Sequence, residues 1–331
     1  MSIEKIPTAL LKQFLTGFLD LKSFASFALT NKRNFEIFNH IPILFRIVLF
    51  AIQPKKIEEN INTYARLTLD KCSTKLLHLA CKYTNSLQAI KCLVENKSEI
   101  NSKTRDNQIP LHMACRNENI SFEIIEYLIQ NKSQLNAIEE IKYSHNKNQP
   151  LHLACRNKNI TIEIIKLLIE NKANLNSTDQ LENLNEKQLN SKEEIENTLH
   201  CAIKNKSISL EIIEYMIDKN CGLDVKDDYN QNLSIHLACQ NKSNNSFQLI
   251  KLLAEKKSDL NALNHFGETP LHCASSNTTI SLEAINYLVQ NKSDPNIKNK
   301  YDETCLQLIS KNRSLMRKFG PKISIEKILQ N

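Results

Sequence analysis

The stretch Pro150-Leu-His-Leu-Ala-Cys155 decides the fold, because close variants of it return along most of the chain. These variants stand at 76–81, 110–115, 198–203, 234–239 and 270–275. Their histidines follow one another at intervals of 34, 40, 48, 36 and 36 residues. A seventh copy at 304–309 has Gln307 in place of the histidine. Self-similarity at this period is typical of a solenoid, whose small units bury their apolar faces by stacking.

A second signature follows four of these phrases and predicts a longer helix in each unit. Each signature offers a candidate N-cap with a Glu two residues later, where a carboxylate favours the positive helix end; the caps are Ser121, Thr161, Ser209 and Ser281. Apolar residues then recur at helical spacing, as at Ile124, Ile125 and Leu128. We therefore expect each unit to contain a short helix, a loop, a longer helix and a polar connection.

The units resemble ankyrin repeats in their Thr-Pro-Leu-His-like starts, best kept at 269–272, and in their Asn-Leu-Asn-like ends. The resemblance spans roughly residues 70 to 318, about six to seven units, and leaves a C-terminal capping tail at 319–331. It implies stacked helix pairs with β-hairpin-like fingers on one side. We predict an all-α, ankyrin-repeat helical solenoid that binds a protein substrate on its fingers and concave face.

The chain departs from the family pattern at the end of the second helix, where Lys replaces the usual Gly at positions 97, 132, 172, 257 and 292. Asn usually precedes this Lys and tolerates the left-handed conformation, so we expect Asn to stop the helix. The longer intervals place insertions within 137–149 and 177–197, both in the finger connection. Such insertions indicate either the binding face or plain expansion loops.

Residues 1–69 lack the repeated phrase and predict a separate module. Most of the chain's 12 Phe residues lie between positions 14 and 50, and apolar residues there follow helical spacing. Residues 1–45 resemble an F-box, although the family's final Trp is missing and Phe45 is nearest to it. The resemblance implies docking to a Skp-type adaptor through Ile6, Pro7, Leu11, Phe14, Leu15 and Leu19. The alternative is a helical cap on the first repeat, and 46–69 is a helical linker or a degenerate repeat.

In four copies of the phrase a His and a Cys stand three apart on a helix, a spacing that suits Zn²⁺ ligands: His78–Cys81, His112–Cys115, His152–Cys155 and His236–Cys239. The repeat explains them better, because ankyrin units use this imidazole to hydrogen-bond the neighbouring turn and hold a small buried residue at the Cys position. A Cys–His nucleophilic pair is disfavoured as well, because six near-identical copies of the phrase would make six active sites. The four Gly residues of the chain form no phosphate-binding loop. We expect no enzymatic activity, no metal and no cofactor.

Charge and hydropathy restrict the partners. The net charge of +7 comes from basic residues spread singly, without the clusters that nucleic acids require. The most apolar stretch, 41–52, is too short to span a membrane. Seven of the ten Cys residues lie inside copies of the repeated phrase, and the first 20 residues lack the features of a signal peptide. We expect a soluble cytoplasmic or nuclear monomer with reduced thiols, bound neither to nucleic acid nor to membrane.

Aromatic residues in the connections between units are the candidate contacts for a bound protein: Tyr143, Tyr229, Phe266 and Tyr301. Exposed aromatics are typical interface anchors, and the alternative is that each ring packs on the next finger. Two functions fit this arrangement. One is a substrate-recognition adaptor of a cullin–RING ubiquitin ligase of the SCF type. The other is an ankyrin-repeat scaffold or pathogen–host interaction protein with a helical cap and no role in ubiquitin transfer.

Overall fold

The structure, a computed structural model, describes residues 77–83, 85–95, 98–140, 147–176, 197–227 and 230–319. The chain divides into two compact units, Met1–Gln134 and Leu135–Asn331. The described residues of both units are helical or irregular and contain no strand, as the predicted all-α class requires. The predicted domain boundaries at 45 and 69 lie outside the described residues.

In the first unit, residues 77–83 form helix α1, and three further helices follow: α2 (Leu87–Glu95), α3 (Pro110–Arg116) and α4 (Phe122–Gln130). Helix α3 packs against α4, and α4 packs against α2. The fully buried side chains Leu111, Ile124, Ile125 and Leu128 lie on the facing sides of these helices. The unit thus contains two helix pairs of the predicted short-then-long kind.

The second unit contains ten helices within its described residues, alternating between two layers. The inner layer consists of α5 (Pro150–Arg156), α7 (Thr198–Lys204), α9 (Ser234–Gln240), α11 (Pro270–Ser276) and α13 (Cys305–Lys311). The outer layer consists of α6 (Ile162–Glu170), α8 (Leu210–Asp218), α10 (Ser246–Glu255), α12 (Leu282–Gln290) and α14 (Arg313–Phe319). Consecutive inner helices pack on each other, as do the outer helices from α6 to α12, and each inner helix packs on its own outer helix. This stacking confirms the predicted solenoid.

The inner helices α7, α9 and α11 are buried on nearly every side, because each packs on two neighbouring inner helices and on its own outer helix. In α9, every residue from Ser234 to Cys239 is buried, and in α11 every residue from Pro270 to Ser275 is buried. Three inner helices begin at Pro, whose fixed φ suits the first helical position. Where Pro is missing in α7, the side chain of Asn197 accepts a hydrogen bond from the N–H of His200 at 2.8 Å.

Outer helices are amphipathic, with one apolar stripe turned inward. In α6, Ile164, Ile165 and Leu168 are buried, whereas Glu163 and Glu170 are exposed. The predicted caps Ser121, Thr161, Ser209 and Ser281 all occupy the N-cap position, and the hydroxyls of Ser209 and Ser281 accept backbone N–H groups. Truncating a fully buried Leu or Ile of this stripe to Ala is expected to cost about 2–5 kcal/mol.

After α4, α6, α10 and α12 the left-handed residue that ends the helix is Lys, which corrects the prediction that Asn stops the helix, whereas α8 ends at left-handed Asn220 with φ 62°. Lys132, Lys172, Lys257 and Lys292 have φ between 65° and 72°, whereas Asn291 has φ −97°. In the last of these turns, Lys292 N–H donates to Val289 O at 3.1 Å and Ser293 N–H donates to Leu288 O at 3.0 Å. This pair of bonds is a Schellman motif, and it fixes which residue turns left-handed.

The insertion within 137–149 enters at the base of a finger, as predicted. There the backbone N–H of Glu139 donates to the carbonyl oxygen of Asn148 at 3.0 Å. The segment 177–196 lies outside the described residues. At the end of the array, exposed Gln307 in α13 holds the place of the repeated histidine, and its Oε1 accepts the N–H of Thr304 at 2.8 Å.

Candidate functional site

The two fingers at 264–268 and 299–303, which the structure describes in full, are tight turns that each close around one polar side chain. In the finger at 299–303, Asn299 Oδ1 accepts the N–H groups of Tyr301 and Glu303 at 2.9 and 3.0 Å, and Asn299 N–H donates to Glu303 O. In the finger at 264–268, Asn264 Oδ1 accepts the corresponding N–H groups of Phe266 and Glu268, both at 2.9 Å. The turns are therefore held from inside, and their outer side chains stay available to solvent.

Three neighbouring fingers are joined by backbone hydrogen bonds. The N–H of His265 donates to Asn230 O at 2.7 Å, and the N–H of Lys300 donates to Phe266 O at 2.9 Å. Gly267, with φ +70°, allows this approach, since a Cβ there would lie 3.1 Å from the backbone nitrogen of Lys300. The fingers at 230–232, 264–268 and 299–303 thus form one continuous edge, which we call the finger edge.

The four predicted finger contacts have different outcomes. Tyr301 is 67% exposed at the tip of its turn, as predicted. Phe266 is less exposed and is half-buried. Its ring contacts the His265 ring edge-on, with centroids 5.5 Å apart. Tyr143 and Tyr229 lie outside the described residues, so their placement stays a prediction. The described part of the finger edge therefore carries two of the four predicted aromatics.

An exposed aliphatic side chain on the finger edge was not predicted from the sequence. Leu263 directly precedes the Asn that closes its finger and is 46% exposed. The equivalent residues in the fingers on either side are Lys226 and Lys298, both exposed, and Lys226 Nζ donates to Leu263 O at 3.2 Å. The sequence does contain a sign of this exposure. Because the equivalent fingers carry Lys at this position, a residue placed there is expected to face solvent.

The repeated histidines connect successive repeats. His272 Nδ1 accepts the N–H of Thr269 at 3.2 Å, and its Nε2 donates to Glu303 O, 3.1 Å away in the next finger. His236 does the same with Leu233 N–H, and its Nε2 lies 3.0–3.1 Å from Ala262 O and Glu268 O. The predicted role of the imidazole as a link to the neighbouring turn is confirmed.

Asparagine side chains connect the repeats at two further levels that the sequence did not reveal. At the end of the inner helix, Asn277 Nδ2 donates to Cys239 O at 2.8 Å and Asn241 O at 3.0 Å in the preceding repeat. At the end of the unit, Asn136 Nδ2 donates to Lys172 O at 3.2 Å in the following repeat. The high Asn content therefore supplies the solenoid with regular inter-repeat hydrogen bonds.

The cysteines occupy the core. Eight cysteines whose side chains the structure describes are buried: Cys81, Cys115, Cys155, Cys201, Cys221, Cys239, Cys273 and Cys305. Burial raises the pKa of the Cys115 and Cys273 thiols to about 12, so both stay protonated at neutral pH. A protonated thiol is a poor nucleophile and a poor metal ligand. Among the described residues, no group of three His, Cys, Asp or Glu side chains is placed to hold a metal ion.

The six predicted adaptor contacts all fall in the part of the chain that the structure leaves undescribed: Ile6, Pro7, Leu11, Phe14, Leu15 and Leu19. Their role stays a prediction from the sequence. In the described ranges, no helix is long and apolar enough to cross a membrane.

Comparison with known proteins decides the family. The family model for ankyrin repeats (3 copies) matches residues 77–179, 199–299 and 235–317, which together cover more than half of the chain. The chain belongs to the ankyrin-repeat family. This confirms the resemblance that the repeated phrase indicated. No curated protein sequence matches the chain.

Solved ankyrin-repeat domains have the same fold. The ankyrin repeat domain of human ASB11 is 20% identical with a TM-score of 0.58, and the match covers 77% of this chain and 96% of that chain. The ankyrin repeat domain of Bcl-3, a member of the IkappaB protein family, is 20% identical with a TM-score of 0.52, and the match covers 74% of this chain and 97% of that chain. At this level of identity the likeness shows the fold alone.

Membership of the family sets the general role. Ankyrin-repeat domains bind protein partners and are typically interaction modules without enzymatic activity. The ankyrin array described here is accordingly a protein–protein interaction module. Its exposed finger residues on a hydrogen-bonded edge are the surface best suited to that role.

Proposed function

We propose that this ankyrin array recognises a target protein as the substrate-recognition adaptor of a cullin–RING ubiquitin ligase. In this proposal the finger edge binds the target. The F-box-like segment at the N-terminus docks a Skp-type adaptor, which connects the target to the ligase.

The observation that carries the target-binding part is the exposure of Tyr301 on a turn that is already ordered. Asn299 fixes the turn through two backbone N–H groups, so binding needs little ordering of the loop. Leu263 and Phe266 add apolar surface on the adjacent finger. Partly exposed aromatic and aliphatic side chains on a rigid base are typical of residues that dominate binding energy.

The ubiquitin-ligase part is supported by the sequence of the N-terminal segment. Ile6-Pro7 precedes a run in which the spacing of Leu11, Phe14, Leu15 and Leu19 predicts one shared helical face. An apolar face of this kind needs a partner, and the F-box resemblance makes a Skp-type adaptor the natural one. An array that binds a target and a segment that binds the ligase together make a substrate receptor.

The target-binding part is tested by identifying partners through affinity capture and titrating the best one, purified, against Phe266→Ala with Tyr301→Ala. We expect affinity to fall at least tenfold, about 1.4 kcal/mol, with little change in melting temperature. Tyr83→Ala is the matched control, because Tyr83 is 48% exposed on α1 and not on a finger. Equal affinity of the double variant and the control would remove the finger edge from the target site.

The ligase part is tested with a purified Skp-type adaptor and the full chain. We expect Leu11→Ala with Leu15→Ala to abolish adaptor binding, while Lys12→Ala with Gln13→Ala, polar neighbours in the same segment, leaves it unchanged. Circular dichroism checks that helical content is retained. If the wild-type chain fails to bind the adaptor, the scaffold function with a helical cap replaces the ligase function, and target binding by the array still stands.

A further inference from the structure

All five backbone N–H groups of the finger at 299–303, the last of the finger edge, are used by the chain itself. Four of them bond within the turn, two to the side-chain oxygen of Asn299 and two to backbone carbonyls. The fifth, that of Lys300, donates to Phe266 O at 2.9 Å in the preceding finger. This finger therefore has no backbone donor left for a further contact.

One carbonyl of each earlier finger in the finger edge accepts an N–H from the finger that follows. Asn230 O and Phe266 O accept these bonds at 2.7 and 2.9 Å, and each residue directly precedes the left-handed residue of its turn. Tyr301 holds the same place in the last finger, since Asp302 is left-handed with φ 61°. Within the described part of the chain, Tyr301 O accepts no hydrogen bond. The row of bonds between fingers therefore ends on a carbonyl that can still accept an N–H.

We propose that the target docks on the last finger through an extended segment whose backbone N–H donates to Tyr301 O. An apolar side chain of that segment lies against the Tyr301 ring, which is 67% exposed. The segment takes the place that a following finger would take, and so adds an extended peptide to a hydrogen-bonded edge. The target is the one bound at the finger edge, so this binding mode rests on the proposed function.

Two other sources of a donor fit this finger less well. A second copy of the same finger has no unused backbone N–H to offer. A Lys or Arg side chain would meet a surplus of positive charge. The two carboxylates of the finger each pair with a lysine: Asp302 with Lys298 and Glu303 with Lys311. Exposed Lys300 forms no ion pair within the described residues, so its charge remains and a neutral backbone N–H is the better donor.

The carbonyl of Tyr301 can be observed alone, because Tyr301-Asp302 is the only Tyr-Asp pair in the sequence. In the full chain labelled with ¹³C at Tyr carbonyls and ¹⁵N at Asp, a single HNCO resonance reports it. The probe is the tightest-binding short peptide of the target that affinity capture identifies. We expect this peptide to move the Tyr301 carbonyl resonance downfield, because a carbonyl carbon is deshielded when its oxygen accepts a hydrogen bond.

The carbonyl of Phe266 is the matched control, since its oxygen already accepts the N–H of Lys300. It is observed with Phe and Gly labelling, and Phe319→Leu removes the only other Phe-Gly signal. We expect this resonance to stay in place when the peptide binds. N-methylation of the one donating amide of the peptide is expected to lower its affinity about tenfold or more and to cancel the shift at Tyr301.

Each contrary outcome has its own meaning. A peptide that needs Phe266 and Tyr301 for binding, yet leaves the Tyr301 resonance unmoved, would overturn this binding mode and leave the proposed function standing. A shift that survives N-methylation at every position would assign the donor to a side chain and overturn it as well. So would a target of which no peptide binds, or a shift that appears without peptide as the protein concentration rises. A peptide whose affinity ignores both aromatics would remove the proposed target site itself.

Discussion

The side-chain amide of Asn261 donates a hydrogen bond to the carbonyl oxygen of Lys292, 2.9 Å away in the following repeat. Its Oδ1 accepts the N–H of Asp294 at 2.7 Å, so one side chain satisfies both a carbonyl and an N–H of the next helix end. Asn136 makes the same pair of bonds with Lys172 and Asn174. These amides join successive repeats where the backbone turns left-handed.

Asn261→Ala is expected to reduce the free energy of unfolding by about 1–2 kcal/mol, because two hydrogen bonds of about 0.5–1.5 kcal/mol each are lost. Urea titration followed by circular dichroism measures the change. Asn244→Ala is the control, since Asn244 is exposed in a turn and its side chain makes no hydrogen bond within the described part of the chain. Equal stabilities of the two variants would contradict a linking role for Asn261.

Lys292→Gly is expected to stabilise the array by roughly 0.5–1 kcal/mol. The left-handed conformation at Lys292 costs an L-residue about 1–2 kcal/mol, part of which the greater flexibility of unfolded Gly offsets. Lys292→Ala is the matched control, because it removes the charged side chain and keeps the Cβ. A rise in melting temperature for Ala as large as for Gly would show that side-chain charge, and not backbone strain, limits stability.

His236 is expected to make the array sensitive to acid. Burial lowers the pKa of His236, the nearby charge of Lys226 adds to this, and the carbonyls of Glu268 and Ala262 and the charge of Asp227 oppose it. Protonation would also set an N–H at Nδ1 against the N–H of Leu233. The unfolded chain therefore binds the proton more readily, and stability falls as the pH drops from about 6.5 toward the lower folded pKa.

Melting temperatures at pH 7.5 and 5.5 test this linkage. His236→Gln is the comparison, because Gln307 provides the equivalent helix cap in the last repeat without titrating. We expect this variant to be less stable at neutral pH and to lose less stability on acidification than the wild type. An identical loss in both proteins would assign the pH dependence to other groups.

Thiol reactivity is expected to report the buried cysteines. Eight of the ten cysteines are buried, so at most two should react rapidly with Ellman's reagent in the folded chain at pH 7.5, and ten after unfolding in guanidinium. Tyr301→Cys provides the positive control, since it adds one exposed thiol on the finger edge. Rapid reaction of three or more thiols in the wild type would show that the core opens readily.

The repeats could be predicted from the sequence because stacking imposes one period on many residues at once. The histidine recurs because it caps its own helix in each repeat, as at His112, His152, His236 and His272. The similarity between copies therefore supports the prediction of the same helix in every repeat. The prediction that Asn is the left-handed residue at the helix end is wrong at Lys132, Lys172 and Lys292, because it rested on the local preference of Asn over Lys for the left-handed region. The two Schellman hydrogen bonds fix which residue is left-handed. Their position depends on the path of the chain after the helix, and local residue preference does not show that path.

The candidate site was less predictable, because exposure depends on neighbours that the sequence does not show. Phe266 and Tyr301 occupy equivalent finger positions, yet only Tyr301 projects freely, since Phe266 has the His265 ring beside it. Leu263 was overlooked because an apolar residue next to a closing Asn looks like part of the core. The exposure of Leu263 can be predicted from the lysines at the equivalent positions 226 and 298.

The end of the array has a consequence for self-assembly. If its last repeat were identical to the internal ones, a solenoid would expose an apolar face that fits the first repeat of another molecule. Repeated head-to-tail association of such molecules would build an open filament. Here the last inner helix carries Gln307, whose acceptor is already used by Thr304. Arg313 and Arg317 are exposed on α14, which packs on this helix, and they add positive charge to this part of the array. Stacking of another solenoid on this exposed, charged helix pair is thus disfavoured.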